Sequence, residues 1–239
     1  MINCKTCGTE LNGKYCSNCG RPFKLKRIDA HYIKHEIEHL LHFDKGIFYT
    51  TKELISKPGK SIKEFLTEDR NRLVKPIIFI IVTSLVYTFV NQYFHIEDQY
   101  VKFDETRVTT AGKIMKWIQE HYGYANILMG IFIALFIKLF FRKSNYNIYE
   151  IMVLLCFVMG IGMLILALFA LVQVFVQFDV MQIAGLLFIV YASFAIADFF
   201  DRKKAINYFK SLSAYLLGMV AFFISAIILG NLIDLIIKH

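Results

Sequence analysis

An all-α integral membrane bundle of five transmembrane helices, fronted by a small N-terminal ribbon and by cytosolic amphipathic helices, is the fold class the sequence predicts. Three observations carry that prediction. The chain of 239 residues is 56% hydrophobic and 15% aromatic with only 19% charged residues, too apolar for a soluble domain of this size. Five stretches are long enough in apolar residues to cross a bilayer. Two Cys-x-x-Cys pairs stand ahead of them, and the basic residues collect on one side of the resulting topology. The expected organisation is a ribbon over 1–24, an amphipathic helical segment over 25–74 and a five-span domain over 75–239.

The ribbon comes first in the chain. Cys4-Lys5-Thr6-Cys7 and Cys16-Ser17-Asn18-Cys19 are each followed by a glycine, Gly8 and Gly20. A Cys-x-x-Cys turn sets two thiolates on one side of a tight bend, the glycine permits positive φ, and two such knuckles complete a tetrahedral sulfur site. The residues between the pairs leave room for a short hairpin turning at Asn12-Gly13. A segment of about twenty residues cannot hold a hydrophobic core of its own, so metal binding has to supply its folding energy. The predicted cofactor is one structural Zn2+ held by Cys4, Cys7, Cys16 and Cys19, making this segment a zinc ribbon. A four-thiolate site is closed to substrate, which argues against catalysis there. Paired disulfides or a redox Cys-x-x-Cys are the alternatives, and an N-terminus in a reducing compartment weighs against both. Met1 leads straight into this polar segment, so no signal peptide is expected. Cys156, inside an apolar span, reads as packing.

From Asp29 to Phe43 the apolar residues Ile33, Ile37, Leu40 and Leu41 recur at helical spacing, with Asp29 as the N-cap. His31, His35, His39 and His42 fall in one sector opposite that stripe. A solvated polar face is the default reading of such a cluster. It is also a candidate second metal or pH site, because clustered imidazoles titrate near neutrality and can take a metal ion. His35-Glu36-Ile37-Glu38-His39 matches the zinc-protease pattern formally, but no third ligand is visible.

Two capping-box patterns follow, Thr50-x-x-Glu53 and Ser61-x-x-Glu64, with Pro58-Gly59 as the break between two short helices. The second helix, with Ile62, Phe65, Leu66 and Leu73 on one flank and Lys63, Arg70, Arg72 and Lys75 on another, is expected to lie on the cytosolic leaflet. Attraction to anionic lipid headgroups accounts for those four charges more simply than nucleic acid does. Plain flanking charge of the positive-inside kind accounts for them equally well.

The five expected spans are Lys75 to Phe94, Tyr124 to Phe141, Ile148 to Phe178, Val180 to Phe200 and Ser211 to Ile237. The third must tilt or protrude, and Asp179 alone separates it from the fourth, predicting a tight hairpin. If residues 1–75, 138–147 and 201–210 share a side, that side holds 22 of the 27 Lys and Arg. The positive-inside rule then places the N-terminus in the cytosol and the C-terminus outside, the parity that five crossings require. No charge sits clearly at mid-bilayer, which weakens proton-coupled transport and intramembrane proteolysis. Lys138 can snorkel, and Glu150, Asp179, Asp198 and Asp234 lie near span ends. Gln173, Gln177, Asn231 and Asp234 either hydrogen-bond between helices or line a polar seam. Gly160, Gly162, Gly218, Ala221, Ser225, Ala226 and Gly230 mark close helix approach, within one bundle or between protomers. Thr110 to Tyr122 reads as a helix on the outer leaflet with Trp117 at headgroup depth.

Thr51, Leu54, Pro58-Gly59, Ile62, Phe65-Leu66, Arg70 and Lys75-Pro76, behind the four-cysteine ribbon, resemble a bacterial family of uncharacterised zinc-ribbon membrane proteins. The resemblance is most specific over residues 1 to about 94. A small or basic pair usually precedes the arginine in that family, whereas Glu68-Asp69 stands here, which weighs against a phosphate-gripping role for the segment. The five-span remainder is similar in layout to the Yip family of membrane-trafficking proteins, which implies a fold with a cytosolic N-terminus and brings no catalytic residues.

The function expected is that of a non-enzymatic protein of the bacterial cytoplasmic membrane. Its cytosolic zinc ribbon would dock a protein partner or a second copy, with membrane lipids as the other partners. An ion or lipid channel gated by the cytosolic segment is the alternative, and a hydrolase using His35, Glu36 and His39 ranks third. Nucleic-acid binding is disfavoured, because the basic residues line a membrane boundary without interleaved stacking aromatics.

Overall fold

The computed structural model describes residues 46–70, 72–94, 109–176 and 178–237, together with Thr9, Tyr15, Ser17 and Asn18. Residues 1–44 and 45–239 form two separate units. In the first, Ser17 and Asn18 form a turn, and Asn18 Nδ2 donates to Thr9 Oγ1 at 3.3 Å. Cys4, Cys7, Cys16, Cys19, the Asn12-Gly13 turn and the histidine-bearing stretch from Asp29 to Phe43 lie outside the described residues.

The described part of the second unit is helical throughout: α1 (Ile47–Ser56), α2 (Pro58–Thr67), α3 (Pro76–Phe94), α4 (Thr110–Glu120), α5 (Tyr122–Phe140), α6 (Ile148–Gln173), α7 (Met181–Asp201) and α8 (Ala205–Ile237). Four of them, α3, α6, α7 and α8, are long and apolar enough to cross a membrane, which marks a multi-pass membrane protein. α5 is a shorter apolar helix.

α6 is the hub. Every residue from Leu154 to Met163 is buried, as a helix that is apolar on all sides must be when it fills the middle of a bundle. It packs against α3, α5 and α7, and α8 completes a ring by closing on α5 and α7. Small residues set the spacing. Gly160 lies against the Phe79 ring of α3 and Gly162 against the Phe188 ring of α7. At the α5–α8 crossing a Cβ on Gly218 would sit 2.5 Å from the Ile133 Cα, so the two backbones touch there. Ala226 and Gly230 are buried within the chain, while Ser225 is exposed and its Oγ donates to the Ala221 carbonyl at 2.7 Å.

Two span limits differ from expectation by several residues. α6 stops at Gln173 rather than Phe178, because the Gln173 side chain closes the loop. Its Nε2 donates to the carbonyls of Val176 at 3.4 Å and Phe178 at 3.2 Å, and its Oε1 accepts from Val180 N at 2.9 Å. Asp179 then accepts from Met181 N at 2.9 Å and from Gln182 at 3.0 Å, starting α7. Gln173 therefore ties a loop instead of lining a polar seam. Gln177 lies outside the described residues, and Asn231 is exposed. α8 begins at Ala205 rather than Ser211, its first turns held by Asn207 Nδ2 donating to the Asp201 carbonyl at 3.0 Å. The start of α6 carries a full capping box, with Asn147 N on Glu150 Oε2 at 2.7 Å and Glu150 N on Asn147 Oδ1 at 2.9 Å. The Lys138 Nζ reaches the span end, where it donates to the Tyr146 carbonyl at 2.6 Å and closes the α5–α6 turn.

Candidate functional site

The α1–α2 pair forms a platform across one end of the bundle, packed on α6 and α7. The two helices share Lys57 as the junction, with φ −146° and ψ 60°. Pro58 is the first residue of α2, where its fixed φ suits a helix start and its missing N–H costs nothing. Gly59 follows because of contact rather than flexibility. A Cβ there would lie 2.4 Å from the carbonyl carbon of Asp198, so α2 meets the backbone of α7 directly. The Gly59 N–H donates to Asp198 Oδ2 at 2.9 Å, placing a carboxylate on the positive end of α2. Tyr191 of α7 donates its hydroxyl to the Leu54 carbonyl near the end of α1 at 3.2 Å. Leu54 and Ile62 are fully buried, and Phe65 packs edge-on against Phe157 of α6 at 5.3 Å. Burying each such side chain is worth about 1.5–3 kcal/mol relative to exposure in water.

This burial corrects the leaflet-lying helix. α2 turns its apolar face to α6 and α7 instead of lipid, and it ends at Thr67. Residues 68–70 and 72–75 are non-helical and bring buried Leu73 back under the platform.

Neither expected capping box forms. Both residue pairs lie within helices and serve contacts between elements. Thr50 is buried and its Oγ1 accepts from Val74 N at 3.1 Å, while Ser61 donates to Glu53 Oε2 at 3.2 Å. Glu53 also binds Arg72 at 2.7 Å, and Glu64 of α2 pairs with the same guanidinium. Arg72 thus links α1 and α2 to the connection that follows them. Tyr49 does most to hold its pKa above the ordinary value, with burial opposing and Glu53 adding to the rise.

Of the four expected lipid-facing charges, Arg72 is therefore committed to Glu53 and Glu64. Arg70 and Lys75 are exposed, and the Lys63 ammonium lies over the Phe199 ring, 5.9 Å from its centroid. Phe199 belongs to an aromatic cluster in which Phe141 stacks on Phe200 at 3.9 Å and Tyr146 tilts on Phe199 at 4.4 Å. Lys210 lies over Phe141 at 5.9 Å. Between α2 and the α7–α8 turn opens a cavity of about 480 Å³.

The opposite end is closed by α4, which rests on α8 and α5. Asp234 of α8 accepts from Thr110 N at 3.0 Å and from the Thr110 hydroxyl, and Thr109 Oγ1 accepts from Gly112 N at 3.2 Å. Gly230 meets the backbone of Ala111. Ile118 is buried, and Trp117 is 42% exposed and stacks on His121 at 4.9 Å. α4 is thus a helix seated on protein, with Trp117 at its edge.

Among the described residues no group of three His, Cys, Asp or Glu is placed to hold a metal ion. The four cysteines and the cluster His31, His35, His39 and His42 lie outside them.

The platform is also where a family signal lies. Residues 44–88 match a family model described as a protein of unknown function, DUF3667. The DUF3667 match covers α1, α2, the connection to α3 and the start of α3, including Arg72, both glutamates and Gly59. No curated protein and no solved structure matches the chain.

Sequence reasoning placed Asp198 and Asp234 near span ends but missed their work. Each caps a helix far away in sequence, and no local pattern reports that.

Proposed function

We propose that this is a non-enzymatic, five-crossing protein of the bacterial cytoplasmic membrane, with its N-terminus in the cytosol and a Yip-like layout. Its zinc ribbon, held by Cys4, Cys7, Cys16 and Cys19 around one structural Zn2+, docks a protein partner or a second copy. The observation that carries the reading is the platform. The segment following the ribbon is fastened to the bundle through Gly59–Asp198 and Tyr191–Leu54 and braced internally by the Glu53–Arg72–Glu64 link, giving a tethered module a fixed base. α5, with 19 residues and a length of about 28 Å, supports the fifth crossing. The turn at Ser17-Asn18, between Cys16 and Cys19, supports a knuckle there. Phe79 and Phe188 filling the spaces beside Gly160 and Gly162 support a packed interior rather than a conduit.

In-cell cross-linking from the exposed Tyr15 position tests the reading. Adducts to one protein or to a second copy should disappear when Cys4→Ser and Cys7→Ser remove the ion. Adducts unchanged by those substitutions contradict it. Metal analysis of the purified chain should give about one zinc, lost in the same variant.

A channel or transporter remains the second reading. The buried hydroxyls of Ser84, Ser211 and Tyr215, which have no hydrogen-bond partner among the described residues, favour it because water inside the bundle would satisfy them. Ion flux into proteoliposomes would establish it, and an impermeable bundle at every pH tested would remove it.

A further inference from the structure

The cavity between α2 and the α7–α8 turn has a composition that the docking reading does not use. Its basic lining comes from Lys60 and Lys63 of α2 and from Arg202 and Lys203 in the turn. Its acidic lining is Glu64, Glu68, Asp198 and Asp201, so the formal charges balance. The acids, however, are mostly engaged. Glu64 pairs with Arg72 and with Lys60 at 3.5 Å, and Asp198 is on the Gly59 N–H. Asp201 binds Lys204 at 3.1 Å and the Lys203 N–H at 3.1 Å. Among the described residues no carboxylate pairs with the side chains of Lys63, Arg202 or Lys203. Lys63, Arg202 and Lys203 therefore face one cavity without an ion pair among the described residues, opposed at longer range by Glu68, by Asp198, which keeps its charge on the Gly59 amide, and by Asp201 acting on Lys203.

The cavity also stands at a defined depth. Arg202 and Lys203 join the ends of two helices that are long and apolar enough to span, so the turn lies at the membrane boundary. Phe200 also lines the cavity, and α7 and α8 expose Leu187, Val190, Ile206 and Phe209. An anion at this level with apolar chains below it is the chemistry of a glycerophospholipid.

We propose that Lys63, Arg202 and Lys203 bind the phosphate of an anionic glycerophospholipid, whose acyl chains run down the apolar flank. The site rests on the reading of α1–α2 as a platform at the membrane boundary. Arg72 takes no part, and Arg70 and Lys75 lie outside the cavity.

The test uses the full chain in nanodiscs containing equal phosphatidylglycerol and phosphatidylcholine, with lipids retained after release counted by native mass spectrometry. The wild-type protein should retain phosphatidylglycerol in preference. Each of Lys63→Gln, Arg202→Gln and Lys203→Gln should lower that preference by about fivefold, the effect of one interfacial charge. Lys63→Arg with Lys203→Arg should restore it, separating charge from misfolding, and Arg70→Gln with Lys75→Gln should leave it unchanged. Equal retention of both lipids by the wild type overturns the site, as does loss of preference in the Arg70/Lys75 variant alone. Protection of Lys63 from amine labelling by inorganic phosphate, with no lipid preference, assigns the cavity to a soluble phosphate and also overturns it. The cross-linking result from Tyr15 is read separately, so failure of the docking reading leaves a distinct signature.

Discussion

The two ends of the bundle are closed by the same device used with different force. At one end Asp198 of α7 caps α2, and at the other Asp234 of α8 caps α4. The α1–α2 end adds Tyr191 on Leu54, the Arg72 link, and full burial of Leu54 and Ile62. At the α4 end Ile118 is the buried anchor, the Gly230–Ala111 contact is the close approach, and Trp117 stays half in the open. A carboxylate at a helix start contributes about 1 kcal/mol, whereas each buried aliphatic side chain contributes about twice that. The caps set position at both ends, and apolar burial makes the platform the firmer of the two. The DUF3667 match falls on that firmer end.

The comparison is open to direct attack. The largest effect should come from Gly59→Leu, which drives a side chain into the α7 backbone and should cost about 3 kcal/mol, read as a fall in detergent Tm. A variant as stable as the wild type would show that α2 is not pressed on α7. Arg72→Ala strands Glu53 and Glu64. With side chains 16–28% exposed, solvent screening brings the expected cost to about 2 kcal/mol, below that of a fully buried pair. Combining it with Glu64→Gln should cost less than the sum of the two, because one interaction is removed twice. Asp198→Ala and Asp234→Ala should each cost about 1 kcal/mol and speed amide exchange at Gly59 and Thr110 respectively. The contrast predicts that Asp234→Ala frees the whole of α4, while Asp198→Ala leaves α2 protected. Equal protection would erase the distinction between the ends. Arg70→Gln, exposed and without an ion pair among the described residues, should change stability by less than about 0.5 kcal/mol.

Hydropathy made the spans legible, because a bilayer demands length and apolarity and little else. Their limits were less so. Val174, Phe175 and Phe178 read as more span, yet Gln173 folds back on the loop and ends α6, a decision made by one side chain. The capping-box pattern is coincidental at Thr50 and Ser61, which lie inside helices, and operates at Asn147-x-x-Glu150. The pattern records residue types but not which neighbour they face. Leaflet binding was inferred for α2 from an apolar flank that α6 and α7 in fact cover. The cavity is illegible in the sequence for a related reason: Lys63 and Arg202 are 139 positions apart, and only folding brings them to one wall.

α8 has 33 residues, about 50 Å of helix, against roughly 30 Å of hydrocarbon and 40–45 Å with headgroups included. A rod of that reach touches both faces of the lipid at once. Thinning the bilayer forces it to lean, and since α4 is pinned to its far tip through Asp234, the lean is transmitted to the opposite surface as a tilt of that cap.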